Sequence, residues 1–60
     1  MGKRINRVEV WFNNGLFRAF PEVSSFKFTD GRLEIIFGKH NNLAMINLNN
    51  VNFYELMYVE

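Results

Sequence analysis

The sequence contains no cysteine and a single histidine, His40. A chain without thiols forms no disulfide and offers no thiolate as a zinc ligand or a nucleophile. A lone histidine does not supply the several donors that a metal site requires. We therefore expect no metal and no cofactor. An efficient apolar core or a partner chain must stabilise the protein instead.

Long apolar runs are also missing from the sequence. No stretch approaches the roughly 18 apolar residues that a transmembrane helix needs. No continuous apolar segment follows the basic start of the chain, as it would in a signal peptide. We expect no membrane partner and a cytoplasmic location, which the lack of cysteine also fits.

A strong charge of either sign is lacking as well. The 60 residues carry seven Lys and Arg against six Asp and Glu, a formal net charge of +1. This balance argues against a strong field for nucleic acid. Lys3 and Arg4 precede the first predicted strand and Arg7 begins it, with no acidic residue among them. We expect one domain over residues 1–60, with a basic N-terminal arm at residues 1–6.

Turn residues divide the chain at short intervals, which is typical of an all-β meander. Asn14-Gly15 suits a type I′ hairpin turn, and Asp30-Gly31 gives a second hairpin signal. Pro21 ends a strand because it lacks a backbone donor. A polar loop at 38–42 and a turn at 49–51 follow. Strands are predicted at 7–12, 16–20, 26–29, 32–37, 43–48 and 52–59.

The last of these segments has two periodicities. Phe53, Leu56 and Met57 have helical spacing, whereas the aromatic residues and Val59 favour a strand. We predict a strand. The fold is then all-β, with about six short antiparallel strands in a meander that forms a curled sheet or a small, partly closed barrel.

Alternation along the strands assigns the apolar residues to two opposite faces. The inner set comprises parts of the last two strands together with Val8, Val10, Phe12, Phe26, Phe28, Leu33, Ile35 and Phe37. The other set comprises Trp11, Phe17, Ile36, Tyr54 and Tyr58, with one or two of Ala44, Ile46, Leu48 and Leu56. A contiguous patch of that size exceeds what small monomers normally expose.

We therefore predict a homodimer that packs sheet on sheet or extends the sheet at an edge. Trp11, Phe17, Ile36, Tyr54 and Tyr58 are the candidate interface residues. The alternatives are a small barrel that buries both sets and a different protein that binds the second face.

The sequence assigns no catalytic residue. His40 lies beside Lys39 in a predicted loop, and Ser24 and Ser25 lack the G-x-S-x-G setting of a nucleophile. Glu9 and Glu34 are expected on one outer face, where cross-strand ion pairs with Arg7, Arg32 or Lys27 explain them more simply than acid–base catalysis.

Nucleic acid is the alternative partner. A sheet that presents Trp11 and Phe17 beside basic side chains would stack bases and neutralise phosphates. The predicted contacts are Lys3, Arg4, Arg7, Arg18, Lys27 and Arg32. The nearly neutral chain and the expected position of Glu9 and Glu34 on the same surface make this partner less favourable than a protein.

The segments V-E-V-x-F-x-N-G, D-G-x-L-x-I and N-V-x-F-Y-E-L resemble short all-β products of phages and mobile elements of low-GC Gram-positive bacteria. The asparagine content adds to that resemblance: Asn6, Asn13, Asn14, Asn41, Asn42, Asn47, Asn49, Asn50 and Asn52. Some proteins of that class inhibit host defence systems. The resemblance implies a phage-encoded inhibitor of a host protein, and it transfers no site residue. From the resemblance and the residue patterns above, we predict a non-enzymatic modulator of a host protein that acts as a homo-oligomer.

Overall fold

The computed structural model describes residues 4–59. Its strands are β1 (Arg4–Phe12), β2 (Phe17–Phe20), β3 (Val23–Thr29), β4 (Arg32–Phe37), β5 (Asn42–Asn47) and β6 (Val51–Val59). One short 3-10 turn, Leu48–Asn50, connects β5 to β6. The all-β class is confirmed, and the last segment is a strand. Within residues 4–59, no helix has the length and hydropathy to cross a bilayer.

The strands form two antiparallel sheets of three strands each. Sheet A has the order β2-β1-β6, and sheet B has the order β3-β4-β5. The predicted continuous meander is wrong, because β2 does not pair with β3 and β6 pairs with β1 instead of β5. Over the described residues the strands do not close into a barrel.

A corner at Pro21 and Glu22 takes the chain from sheet A to sheet B. Glu22 has a positive φ of 53°, and Pro21 ends β2 as predicted. The Gly38 N–H donates to the Pro21 carbonyl at 3.2 Å and to the Glu22 carbonyl at 3.0 Å. These bonds fasten the corner to the loop between β4 and β5.

The first strand begins earlier than predicted. Arg4 pairs with Val59 and Ile5 pairs with Tyr58, so residues 4–6 belong to β1 because β6 is long enough to pair with them. The predicted arm is therefore wrong for these residues. Residues 1–3, which include Lys3, lie outside the described part of the chain.

The first hairpin differs from the prediction in its turn. The Phe12 N–H donates to the Leu16 carbonyl at 2.8 Å, so the loop contains three residues, Asn13 to Gly15. Only Gly15 among them has a positive φ, 89°, whereas a type I′ turn needs two such residues. The Asn14 side chain accepts from the Leu16 N–H at 3.1 Å. The hairpin is confirmed, and the predicted type I′ turn is wrong.

The second hairpin has the two-residue turn that its sequence indicates. Thr29 pairs with Arg32, and Asp30 and Gly31 both have positive φ values, 43° and 75°. Two such residues match the right-handed twist of the flanking strands.

Asparagines hold the start of β6 beside the end of β1. The Asn13 N–H donates to the Asn50 carbonyl at 2.8 Å, and Asn13 Nδ2 donates to the Asn49 carbonyl at 3.0 Å. Asn47 Oδ1 accepts from the Asn49 N–H at 3.0 Å and caps the 3-10 turn. The loop of the first hairpin is thereby joined to the turn that introduces the last strand.

Side chains from both sheets form one core. Its buried members are Val8, Val10, Phe20, Val23, Leu33, Ile35 and Ile46. The inner assignment is confirmed for Val8, Val10, Leu33 and Ile35, and Phe12, Phe26 and Phe37 pack partly buried against the core.

One expectation about the inner and outer faces is wrong, and another holds only in part. Phe28 lies on the inner side as expected, since it pairs with the buried Leu33. Its side chain is nevertheless 46% exposed, because β3 is a sheet edge and the ring lies at the rim, 5.7 Å from the Tyr54 ring. The four residues considered for the outer set pack inward against or within the core: Ala44, Ile46, Leu48 and Leu56. Since Ile46 pairs with the buried Leu33, β5 instead directs Leu43 and Met45 outward.

We predict that Leu33→Ala lowers the free energy of unfolding by about 2–4 kcal/mol, because the substitution leaves a cavity in the core. Urea denaturation followed by circular dichroism measures the change. Leu43→Ala is the matched control, since Leu43 lies on the neighbouring strand and is exposed. Its effect should stay within about 0.5 kcal/mol. Equal losses for the two variants would contradict the assignment of inner and outer faces.

A candidate interaction surface

An aromatic row crosses the outer face of sheet A. Trp11 of β1 pairs with Phe17 of β2 on one side and with Phe53 of β6 on the other. The Trp11 ring centroid lies 4.9 Å from that of Phe17 and 4.5 Å from that of Phe53. Phe17 is 47% exposed and Phe53 is 49% exposed. The row therefore presents apolar surface from all three strands of the sheet.

The alternation of β1 explains where the row lies. Val8 and Val10 are fully buried on the inner face, so Trp11 must point to the opposite face. The Phe53 ring meets Trp11 edge on, at an interplanar angle of 86°, and the Phe17 ring is tilted by 46°. Because the rings touch one another, they form a ridge and leave no cage for a small cation between them.

Two carboxylates lie beside the row on the same face. Glu9 of β1 is directly opposite Glu55 of β6, and like charges in that position destabilise a sheet. Arg7 Nε donates to Glu9 Oε2 at 2.7 Å and compensates one of the two acids. No described side chain forms an ion pair with Glu55. The outer face of sheet A thus joins exposed aromatic surface to an excess of negative charge.

The outer face of sheet B has the opposite charge balance. Glu34 lies between two bases, at 3.8 Å from Lys27 Nζ and 3.8 Å from Arg32 Nη2. The predicted ion-pair partners of Glu34 and Glu9 are confirmed. Only the Lys27–Glu34 pair is cross-strand as predicted, whereas Arg7–Glu9 and Arg32–Glu34 each lie within one strand. Leu43 and Met45 of β5 are exposed on this face. Here the apolar surface is aliphatic and is bordered by an excess of positive charge.

The predicted interface residues occupy separate places. Trp11 and Phe17 belong to the aromatic row, whereas Ile36 is half-buried on the outer face of sheet B. Tyr54 pairs with the buried Val10, so it faces inward at the rim. Tyr58 is exposed at the far end of β6, opposite Ile5. The five predicted residues therefore do not form one patch. Two lie on the outer face of sheet A, one lies on the outer face of sheet B, and the two tyrosines lie on the inner side of β6.

Sequence reasoning missed four residues of the two outer faces: Phe53, Glu55, Leu43 and Met45. One signal could have identified Phe53. Glu55 carries the only charge between Val51 and Tyr58 and marks the solvent side of β6, and Phe53 shares that side by alternation. Glu34 marks the solvent side of β4 in the same way, but only the strand register shows that Met45 of β5 lies opposite Glu34.

The residues predicted to contact nucleic acid are divided between surfaces. Trp11 and Phe17 lie on sheet A, while Lys27 and Arg32 lie on the outer face of sheet B. The Arg18 guanidinium lies 5.3 Å from the centre of the Phe20 ring, on the inner side of β2. The expected single sheet of aromatic and basic side chains is wrong because β2 and β3 do not pair. The Lys3 and Arg4 side chains lie outside the described part of the structure.

The residues considered for catalysis also lie apart from one another. Glu9 and Glu34 belong to different sheets, so the expectation that they share one face is wrong. His40 is exposed in the loop between β4 and β5, and the Ser24 hydroxyl donates to the Ile36 carbonyl at 3.2 Å. The structure, over the residues that it describes, contains no group of three or more potential metal-ligating side chains.

An open cleft adjoins one end of the aromatic row. It has a volume of about 600 Å³ and is lined by Phe12, Leu16, Phe17, Arg18 and three asparagines of the neighbouring turns. Phe17 borders both the cleft and the row. The cleft adds concave surface and amide donors and acceptors at the margin of the outer face of sheet A.

No protein-family model, curated protein sequence or solved structure matches the chain.

We predict that Glu55→Lys increases the free energy of unfolding by a few tenths to about 1 kcal/mol, because it replaces a like-charge cross-strand pair by an opposite-charge pair. Thermal denaturation at low protein concentration measures the change. Glu55→Gln removes only the repulsion and should give a smaller gain. Both gains should shrink with added salt, since Glu55 is exposed. A loss of stability in Glu55→Lys would show that Glu55 stabilises the fold.

Proposed function

We propose that the chain is a non-enzymatic protein-interaction module that binds a partner protein through the outer face of sheet A. The observation that carries this proposal is the aromatic row, in which Phe17 and Phe53 expose about half of their surface on either side of Trp11. Tryptophan and other aromatic residues supply a large share of binding energy at protein interfaces. Folding alone does not require that these rings face solvent.

The carboxylates beside the row indicate the chemistry of the partner. Glu9 already has an ion pair with Arg7, whereas Glu55 has none among the described side chains. A partner that presents a Lys or Arg next to an apolar patch would cover the row and relieve the Glu9–Glu55 repulsion. We therefore propose a partner surface with both features.

The same carboxylates make a protein a better partner than nucleic acid for this face. A phosphate backbone that followed the aromatic row would approach Glu9 and Glu55, and Arg7 is held by Glu9 at 2.7 Å. The excess positive charge lies on the outer face of sheet B, where Lys27 and Arg32 are near a single acid, Glu34. Binding of single strands needs stacking and phosphate neutralisation at one groove.

The resemblance to small all-β phage products supports a host protein as the partner, in the host cytoplasm. The module would act as a modulator or inhibitor by occupying a surface of that protein, a defence enzyme in the specific form of the proposal. No chemical step is needed for such action, because blocking a contact surface is sufficient.

The proposal is tested by affinity capture from an extract of a low-GC Gram-positive host, followed by calorimetry with the purified partner. We expect one stoichiometric protein, with binding weakened at least about tenfold by Phe53→Ser, since a central aromatic contact typically contributes more than 1 kcal/mol. Met45→Ser is the matched control, because Met45 is equally exposed on the opposite sheet, and it should bind as the wild type does.

Three results would overturn the proposal. One is a captured protein that binds Phe53→Ser as well as the wild type, and another is that no protein is retained in stoichiometric amount. The third is anisotropy with labelled single-stranded DNA or RNA that shows binding which falls steeply with salt and is lost in Phe53→Ser. That result would replace the protein partner by nucleic acid.

A further inference from the structure

The two outer faces have complementary charges. The described side chains on the outer face of sheet A include one base and two acids, Arg7, Glu9 and Glu55. Those on the outer face of sheet B include two bases and one acid, Lys27, Arg32 and Glu34. One face thus has an excess negative charge and the other an excess positive charge. Two copies that met through identical faces would place like charges together.

Each face also exposes apolar surface beside its charged side chains. Phe17 and Phe53 are about half exposed on sheet A, and Leu43 and Met45 are 59% and 57% exposed on sheet B. The aromatic row can pack against methionine and leucine, because thioether–aromatic contacts are favourable. Neither apolar group has a covering element within residues 4–59.

We propose that the outer face of sheet A of one copy docks on the outer face of sheet B of the next copy. In this arrangement the aromatic row covers Leu43 and Met45, and Glu55 approaches Lys27 or Arg32 of the second copy. Charge complementarity selects this pairing over contacts between identical faces. The sequence-based expectation of a two-fold dimer is replaced by a head-to-tail contact, which leaves one face free at each end of the assembly.

The size of the faces sets the strength of the contact. Three strands about 4.8 Å apart and six residues of about 3.3 Å rise give a footprint of roughly 14 by 20 Å. Stable complexes bury about 800 Å² on each partner, so the contact falls in the weak class. Self-association should therefore depend on protein concentration, and its salt dependence should reflect the ion pairs between the faces.

This inference rests on the proposed function in one respect, since both assign the outer face of sheet A as a contact surface. A bound partner protein and a second copy would compete for it. The outer face of sheet B takes part only in self-association, so substitutions there separate the two proposals.

The test uses two charge reversals, one on each face, in sedimentation velocity over a concentration series. The wild type should rise in mean mass beyond twice the 7.1 kDa of the chain. In Glu55→Lys both outer faces have an excess of positive charge, and in Lys27→Glu both have an excess of negative charge. Each variant alone should remain a monomer, because its two faces then repel each other between copies. An equimolar mixture of the two variants should assemble as the wild type does. The reversed face of sheet A in Glu55→Lys is complementary to the reversed face of sheet B in Lys27→Glu, and the other two faces keep their wild-type charges.

The doubly reversed chain, Glu55→Lys with Lys27→Glu, restores opposite charges and should assemble as the wild type does. This rescue separates a contact between the faces from a general effect on folding, which circular dichroism checks for every variant. Two results would overturn the inference: a wild-type chain that stays monomeric at every concentration, or a dimer that Lys27→Glu leaves unchanged. Partner capture by Lys27→Glu that equals the wild type would leave the proposed function standing in either case.

Discussion

The pairing of the first strand with the last is the interaction on which the rest of the structure depends. β1 is the central strand of sheet A, and β6 takes the edge that β2 leaves open. The pairing runs from Arg4 with Val59 to Phe12 with Val51. It removes β6 from sheet B, divides the strands into two sheets and brings Phe53 against Trp11. Without it the aromatic row would have only its hairpin half, Trp11 and Phe17.

Each of the two three-stranded sheets has an inner face that packs in the core and an outer face that no other strand of residues 4–59 covers. Strand alternation fills the space between the sheets with one set of side chains, and the residues on the other side of each strand must face solvent. In most small domains that second set is polar, which avoids exposed apolar patches. Here it contains the aromatic row on one sheet and Leu43 and Met45 on the other. The Glu9–Glu55 pair is a further cost to the isolated fold.

Local sequence signals predict the local part of this structure and nothing beyond it. The two hairpins at Asn14-Gly15 and Asp30-Gly31 are confirmed, because their turn residues and strands are contiguous in the chain. The β1–β6 pairing has no local signature, because the two strands are far apart in the sequence and no turn joins them. The apolar pattern of either strand would also suit pairing with other strands. Alternation around Glu55 could place Phe53 on the solvent side of β6. Its position beside Trp11 required the register between β1 and β6.

In the proposed arrangement the outer face of sheet A serves both self-association and partner binding, which links the two. A partner that covers the outer face of sheet A caps the assembly at that copy, because only the outer face of its sheet B can still dock, and the assemblies shorten as the partner concentration rises. The free energy that drives this change grows as RT ln(1 + [L]/Kd), where [L] is the concentration of free partner and Kd is its dissociation constant. Because a contact of this size between copies is weak, a partner with an ordinary protein interface outcompetes it. Reversible stacking would then shield exposed rings such as Phe17 and Phe53 from unspecific contacts until a tighter partner is present.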